Sequence, residues 1–433
     1  MSRPGSCLNE NGLKQNVDST CRNTALTDTL NASVTSEGRL LSTFKKDYHI
    51  RKENLTGKEY YSEEGRTFEL GLVGKIKQQF STDPTICPEY PPSLGLTGFT
   101  QQVTEVTFGK SCRAVTENRV LGVQTPGFTA AVRLGAELFR HWQVKADWCG
   151  PVYLSSPCDD SLADIFLAAG VQDIRQYYYW DDKKRGVCFE KLLEDLKDAP
   201  EQSVVVLSAS AHYPTGADLS QNQWVSITQL MKRRRLFPFL LLPVHGLCHG
   251  DLKWDAWPVQ YCASQGIELL CAQSLSHCFG LYGEAVGHLI CVLKQNSLLL
   301  SVQSHADKIV RSLWAQPSDT GARVVAAVLS NPAHVVEWQS EVKHLVERCM
   351  LIREILRQRL RLLGTPGCWD HLTQQGGLYC CTGLNGQQLE FLSNRRHMYL
   401  LPSGCLNLSA INGRNLDYIA ESIHLAVSTS LWP

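Results

Sequence analysis

Several residues in this chain are of types that do chemistry. His245, Cys248 and His249 form an H-x-x-C-H cluster, with His277 and Cys278 further along. Imidazole and thiolate are zinc ligands. Half-matches to metal spacing are common in a chain with 17 cysteines, so coincidence is the expected explanation and no metal is assigned. His277 carries an imidazole suited to general-base work near neutral pH, although a core histidine bonded to a neighbour is the plainer alternative. Lys58 offers a primary amine of the kind that forms imines with carbonyl compounds. Beside Glu59, a solvated charge is the simpler expectation for it.

The elements that must carry these residues follow from the apolar pattern. Residues 1–38 are rich in Ser, Asn, Thr and Gly and read as a disordered polar tail. From about residue 68, strand and helix patterns alternate. Residues 129–142 put apolar side chains at helical spacing. Residues 151–156, 203–207, 237–242, 267–270 and 288–293 are short apolar runs of the kind that form buried parallel strands. A long helix is expected after Pro332, with Gly364 and Pro366 ending it, and a final helix around 416–427. The alternation argues for an α/β layered domain followed by a smaller one.

Composition narrows the function. The formal net charge is +0, which gives no polyanion-binding signature. The run Lys232-Arg-Arg-Arg235 is best taken as a solvated helix end, so no nucleic-acid partner is expected. The longest apolar runs are too short to span a bilayer, and Met-Ser-Arg-Pro-Gly-Ser is neither a signal nor a transit pattern. A cytoplasmic location is the default, in which the cysteines are buried small hydrophobes rather than disulfides.

One segment says more. Cys271-Ala-Gln-Ser-Leu-Ser-His-Cys-Phe-Gly-Leu-Tyr-Gly-Glu-Ala-Val-Gly287 resembles the cofactor-lysine segment of aspartate aminotransferases. Tyr177-Tyr-Tyr-Trp-Asp-Asp-Lys-Lys-Arg-Gly186, Ala211-His-Tyr-Pro-Thr-Gly-Ala-Asp218, Leu363-Gly-Thr-Pro-Gly-Cys-Trp-Asp370, Met398-Tyr-Leu-Leu-Pro-Ser-Gly404 and Asn415-Leu-Asp-Tyr418 resemble further motifs of that family, in its order and spacing. The resemblance runs from about residue 40 to the C-terminus. It implies the pyridoxal-phosphate transferase fold, with a large, mostly parallel-sheet domain over 68–345 and a smaller α/β domain over 39–67 and 346–433. It also implies pyridoxal phosphate as cofactor and a homodimer with sites at the interface.

Carried over residue by residue, the resemblance implies a damaged site. The family's imine-forming lysine is His277, and imidazole has no primary amine. The aspartate under the pyridine nitrogen, which makes the ring an electron sink, is Leu241. The arginine on the phosphate is Ala285, so a bidentate contact is lost. The asparagine and tyrosine on the ring hydroxyl are Tyr213 and Val244, and the stacking tryptophan is Asp159. The arginine for the substrate α-carboxylate is Cys405, and a glycine of the mobile N-terminal segment is Lys58. Phe128 adds bulk to the phosphate loop.

Thr129, Ser274 and Ser276 remain as hydroxyls for a phosphate, and Tyr282 keeps its place. Tyr90 and Arg311 match the tyrosine and arginine that the family donates to the neighbouring subunit's site. Packing and a structural ion pair are their plainer roles. The pattern suggests a pseudoenzyme: a dimerising or ligand-binding module that could complete the site of an active paralogue in a heterodimer, with no covalent cofactor of its own. The alternative is a working aspartate aminotransferase, interconverting aspartate and 2-oxoglutarate with oxaloacetate and glutamate. A third possibility is a repurposed enzyme with His277 as base.

Overall fold

The structure, a computed structural model, describes residues 36–86, 89–146 and 150–429. The expected polar tail lies outside the described residues up to residue 35. Its last three residues instead open a helix, Ser36–Lys46. The chain divides into a unit ending at Tyr48 and a second from His49 onward.

Its centre is a seven-stranded sheet. In chain order the strands are β1 (Val120–Pro126), β2 (Val152–Ser156), β3 (Ile174–Tyr178), β4 (Val204–Ser208), β5 (Phe237–Leu242), β6 (Leu269–Ser274) and β7 (Val286–Val292). They lie side by side as β1-β7-β6-β5-β4-β2-β3. All pairings are parallel except those of β7, which runs antiparallel to β1 and β6. In β6 and β7 every residue is buried, Gln273, Ser274 and His288 included, so neither strand alternates buried with exposed positions. The sequence pattern located five of these strands to within a few residues, but the run at 288–293, expected to be parallel, is the antiparallel β7, and β1 and β3 were not singled out.

The strand period of two sends alternate side chains to opposite faces. Val205, Leu207, Leu240, Leu242, Cys271 and Ile290 join one core, which the helices Phe189–Asp198, Gln221–Arg234 and Leu252–Ser264 cover. Val204, Val206, Phe239, Leu241, Leu270 and Ala272 join the other, beneath Phe128–Ala146, Asp160–Ala168 and Leu299–Leu313. The layering is that of an α/β protein.

A third core forms around the long helix Pro332–Leu362. The Asn331 side chain caps it by accepting from the Ala333 N–H, and Pro332 sits where its missing N–H costs nothing. Trp338, Val342, Leu345, Cys349, Ile352 and Leu356 repeat every three or four residues and are buried together with Ile419 and Ile423 of the last helix, Leu416–Thr429. Gly364, at φ +66°, turns the chain away in a conformation glycine adopts without strain. The N-terminal pair Glu53–Asn54 lies in parallel register with Met398–Tyr399, tying the start of this unit to its C-terminal portion.

Among the described residues no helix is long and apolar enough to cross a membrane. The thirteen cysteines described as free thiols include nine that are buried, as expected of small hydrophobes.

Candidate functional site

The carboxyl ends of β2, β4 and β5 open into a cavity of about 270 Å³. Leu154 and Ser155 come from β2, Val206 and Ser208 from β4, and Leu241 from β5. The outer ends of parallel strands are where α/β sheets place ligands, because the connecting loops diverge there. Phe128 and Thr129, at the start of the helix Phe128–Ala146, also line the cavity. The unpaired N–H groups of a helix start favour an anion.

Eight of the residues singled out from sequence meet at this cavity: Lys58, Phe128, Thr129, Asp159, Tyr213, Leu241, Val244 and His277. Phe128 and Tyr213 do not close it. The Tyr213 ring packs edge-on against Tyr379, with centroids 5.3 Å apart.

His277 has a defined state. Its Nε2 lies 3.0 Å from the Lys58 carbonyl oxygen, which can only accept, so Nε2 carries the proton. Nδ1 is buried with no hydrogen-bond partner. Burial pushes the ring's pKa below the ordinary histidine value, which keeps it neutral at physiological pH. Tyr282 packs edge-on against the ring and accepts from the Tyr60 N–H through its hydroxyl. Lys58 is the one lysine among the lining residues.

Three of the positions singled out from sequence have defined local settings. Asp159 caps the helix Asp160–Ala168, accepting from the Ser161 N–H at 2.9 Å. Leu241 is buried in the apolar core beneath Phe128–Ala146. Ala285 adopts a left-handed φ of +47°.

Six positions do not line the cavity. The Ser274 hydroxyl accepts from the Ser276 N–H, and the Ser276 hydroxyl from the Val286 N–H, so both brace the turn after β6. Ala285 is also away from the lining. Cys405 is buried with its thiol on the Pro214 carbonyl, directly across a strand pair from Cys381. Tyr90 is 89% exposed. Arg311 pairs with Asp307 one helical turn earlier, Nε to Oδ2 at 2.9 Å, and Asp307 also accepts from the Ser93 hydroxyl.

Sequence reasoning missed His212. It lines the cavity and is buried, held between the hydroxyls of Ser155 at 2.9 Å and Thr215 at 2.8 Å and stacked on Tyr179. Burial lowers its pKa to about 3, so the ring is neutral. Its place beside Tyr213 in a loop of small polar residues was the available signal.

The H-x-x-C-H cluster divides. His245 is buried with Nε2 on the Leu252 carbonyl, whereas Cys248 and His249 lie together with Asp218.

A mostly parallel α/β sheet with its cavity at the strand ends, two fully buried strands β6 and β7 joined by a short turn, and a long helix leading into the C-terminal portion together point to an aminotransferase-type protein. The family model described as aminotransferase class I and II matches residues 55–423, and the chain belongs to that family. It is 42% identical to cytoplasmic aspartate aminotransferase of Gallus gallus over 391 residues, 90% of this chain and 95% of that one. It is 38% identical to the Bos taurus protein named "Putative aspartate aminotransferase, cytoplasmic 2" over 90% of this chain and 94% of that one. Among solved structures, aspartate aminotransferase from Saccharomyces cerevisiae cytoplasm matches with a TM-score of 0.88 at 28% identity, covering 94% of this chain and 100% of that one. An aromatic-amino-acid aminotransferase from Burkholderia pseudomallei, covalently bound to pyridoxal phosphate, matches at 0.89 and 27% identity over 93% of this chain and 100% of that one.

Proposed function

We propose that this chain is an aspartate aminotransferase homologue without conventional transaminase activity of its own, a pseudoenzyme that keeps the family's cavity as a ligand-binding and dimerising module. One observation carries the reading. His277, at the position of the family's lysine, lines the cavity as a neutral imidazole tied to the Lys58 carbonyl. The surroundings agree with it. Leu241 supplies no charge for a ring nitrogen, and Ala285 no guanidinium for a phosphate. The residues present do not fit a covalently held pyridoxal phosphate.

The loss is large in rate terms. A general base alone typically contributes about two to four decades, each worth about 1.4 kcal/mol of barrier. What remains is an open, mostly apolar cavity with a few convergent polar groups, Thr129, Ser155, Ser208 and His212, which is how small-molecule sites are built. A cytoplasmic location and the division into a large domain (68–345) and a small one (39–67 and 346–433) belong to the same proposal.

The module would act in a dimer. Tyr90 and Arg311 stay away from the chain's own cavity, and Tyr90 offers a large exposed ring. Donated to an intact aspartate aminotransferase subunit, they would complete a working site whose lysine comes from the partner.

One observation favours the alternative, a working aspartate aminotransferase: Lys58, the one lysine among the lining residues, lies at the cavity. Titrating the purified chain with pyridoxal phosphate while recording the near-visible spectrum separates the two. The expected spectrum is that of the free aldehyde at every ratio. A saturable Schiff-base band lost in Lys58→Ala, together with conversion of aspartate and 2-oxoglutarate to oxaloacetate and glutamate, would establish the alternative.

A further inference from the structure

We propose that Asp218, Cys248 and His249 form a binding site for a zinc-class divalent cation, separate from the cavity described above. One ligand atom from each lies within 4.8 Å of the other two. The Cys248 thiol already sits 3.0 Å from Asp218 Oδ2. Tetrahedral bonds of about 2.0–2.3 Å to sulfur, nitrogen and oxygen place ligand atoms roughly 3.3–3.8 Å apart. Closing the trio around an ion therefore asks for side-chain adjustments of about an ångström or less by that geometry.

The fold brings these residues together from two loops. Asp218 precedes the helix Gln221–Arg234, and Cys248 and His249 lie in the turn between β5 and the helix Leu252–Ser264. That second helix supplies the support. Asp255, fully buried, accepts from His249 Nδ1 through Oδ1 at 2.7 Å and from the Cys248 backbone N–H through Oδ2 at 3.0 Å. A carboxylate on one ring nitrogen is what orients metal-bound histidines, with the other nitrogen free of that bond.

Access and ligand chemistry agree. Cys248 is buried, Asp218 half-buried and His249 exposed, so the trio reaches from the interior to solvent. It borders a second cavity of about 630 Å³ that Trp254 and Trp257 also line. Three protein ligands beside an open cavity leave a fourth position for water or a small ligand, as in open zinc sites. Thiolate and imidazole with one carboxylate select zinc or a neighbouring transition ion over magnesium or calcium. On binding, the Cys248 S–H proton leaves to solvent and the sulfur bonds the ion. Asp218 Oδ1 also accepts from the His212 N–H, so the ion would brace a residue of the first cavity.

The test uses the full chain, stripped with chelator and titrated with Co2+, whose thiolate charge-transfer band reports sulfur coordination. The expected result is one equivalent bound with that band, displaced by one equivalent of Zn2+. Cys248→Ser should abolish the band, and His249→Ala should weaken binding by about tenfold or more. Cys368→Ser, at an exposed cysteine away from the trio, should change neither. No band, a band that survives Cys248→Ser, or an affinity unchanged by His249→Ala overturns the proposal. His249 is exposed, so its alanine variant decides the matter even if Cys248→Ser fails to fold.

Discussion

At the scale of single residues, the contrast is between an amine and an imidazole in one place. A covalent cofactor bond needs a primary amine. His277 offers a ring whose one proton is committed to the Lys58 carbonyl. The deficit should be repairable in part, because the cavity is open. His277→Lys, combined with Leu241→Asp, should produce a Schiff-base absorption with pyridoxal phosphate and an adduct mapped to residue 277. An unchanged spectrum in a folded double variant would mean that the losses reach beyond these two positions. His277, Ala285 and Tyr213 stood out in the sequence because each falls inside a segment that resembles the family's. The hydrogen bond from His277 to Lys58 was not, because it joins residues 219 positions apart.

Buried histidines make stability depend on pH on the acid side. His288 in β7 is fully buried, with Nδ1 near Gln273 Oε1 at 3.1 Å and Nε2 without a partner. Burial pushes its pKa down to about 3. The folded state keeps the ring neutral, while the unfolded chain takes up the proton below about pH 6.5. The unfolded state then binds more protons, so the contribution is whole above pH 6.5 and is lost as pH falls toward 3, at up to about 1.4 kcal/mol per pH unit. His288→Gln should flatten the fall of Tm between pH 6.5 and 4.5. An unaltered slope would assign the acid sensitivity to other groups.

At the scale of elements, the segment 376–379 shapes the cavity and depends on one helix. Gly376, Leu378 and Tyr379 line the cavity. Arg353, buried in the helix Pro332–Leu362, donates to the carbonyls of Leu372, Gly376, Gly377 and Tyr379. Arg353→Met leaves these carbonyls unpaired and should cost about 3 kcal/mol or more, read as a lowered urea midpoint. A loss below about 1 kcal/mol would mean that water replaces the guanidinium. The helix itself was evident from its apolar spacing and its Asn331-Pro332 start, but nothing in that spacing marks Arg353 as a clasp. The five located strands were visible because buried runs of Val, Leu and Ile stand out. β1 and β3 were not, since Gly122, Gln124 and Thr125 in β1 and Arg175 and Gln176 in β3 interrupt the apolar pattern. The openness of the cavity also lay beyond the sequence, because it depends on where packing sends Phe128 and Tyr213.

At the scale of the whole molecule, the proposed roles of Tyr90 and Arg311 require a second chain. Co-expression with an intact cytoplasmic aspartate aminotransferase should yield a mixed dimer with about half the sites working. In that dimer, Arg311→Ala in this chain should lower activity toward dicarboxylic substrates by tenfold or more, since a charged hydrogen-bonded partner contributes about 1.5–3 kcal/mol. Absence of mixed dimers, or activity indifferent to Arg311→Ala, would confine this chain to acting alone. The central claim is narrower, and the most direct test needs only the purified chain, pyridoxal phosphate at saturation and borohydride, followed by intact mass and a peptide map. The expected result is an unmodified mass. A stoichiometric adduct on a single lysine, Lys58 above all, would contradict the claim and identify the amine that replaces the missing one.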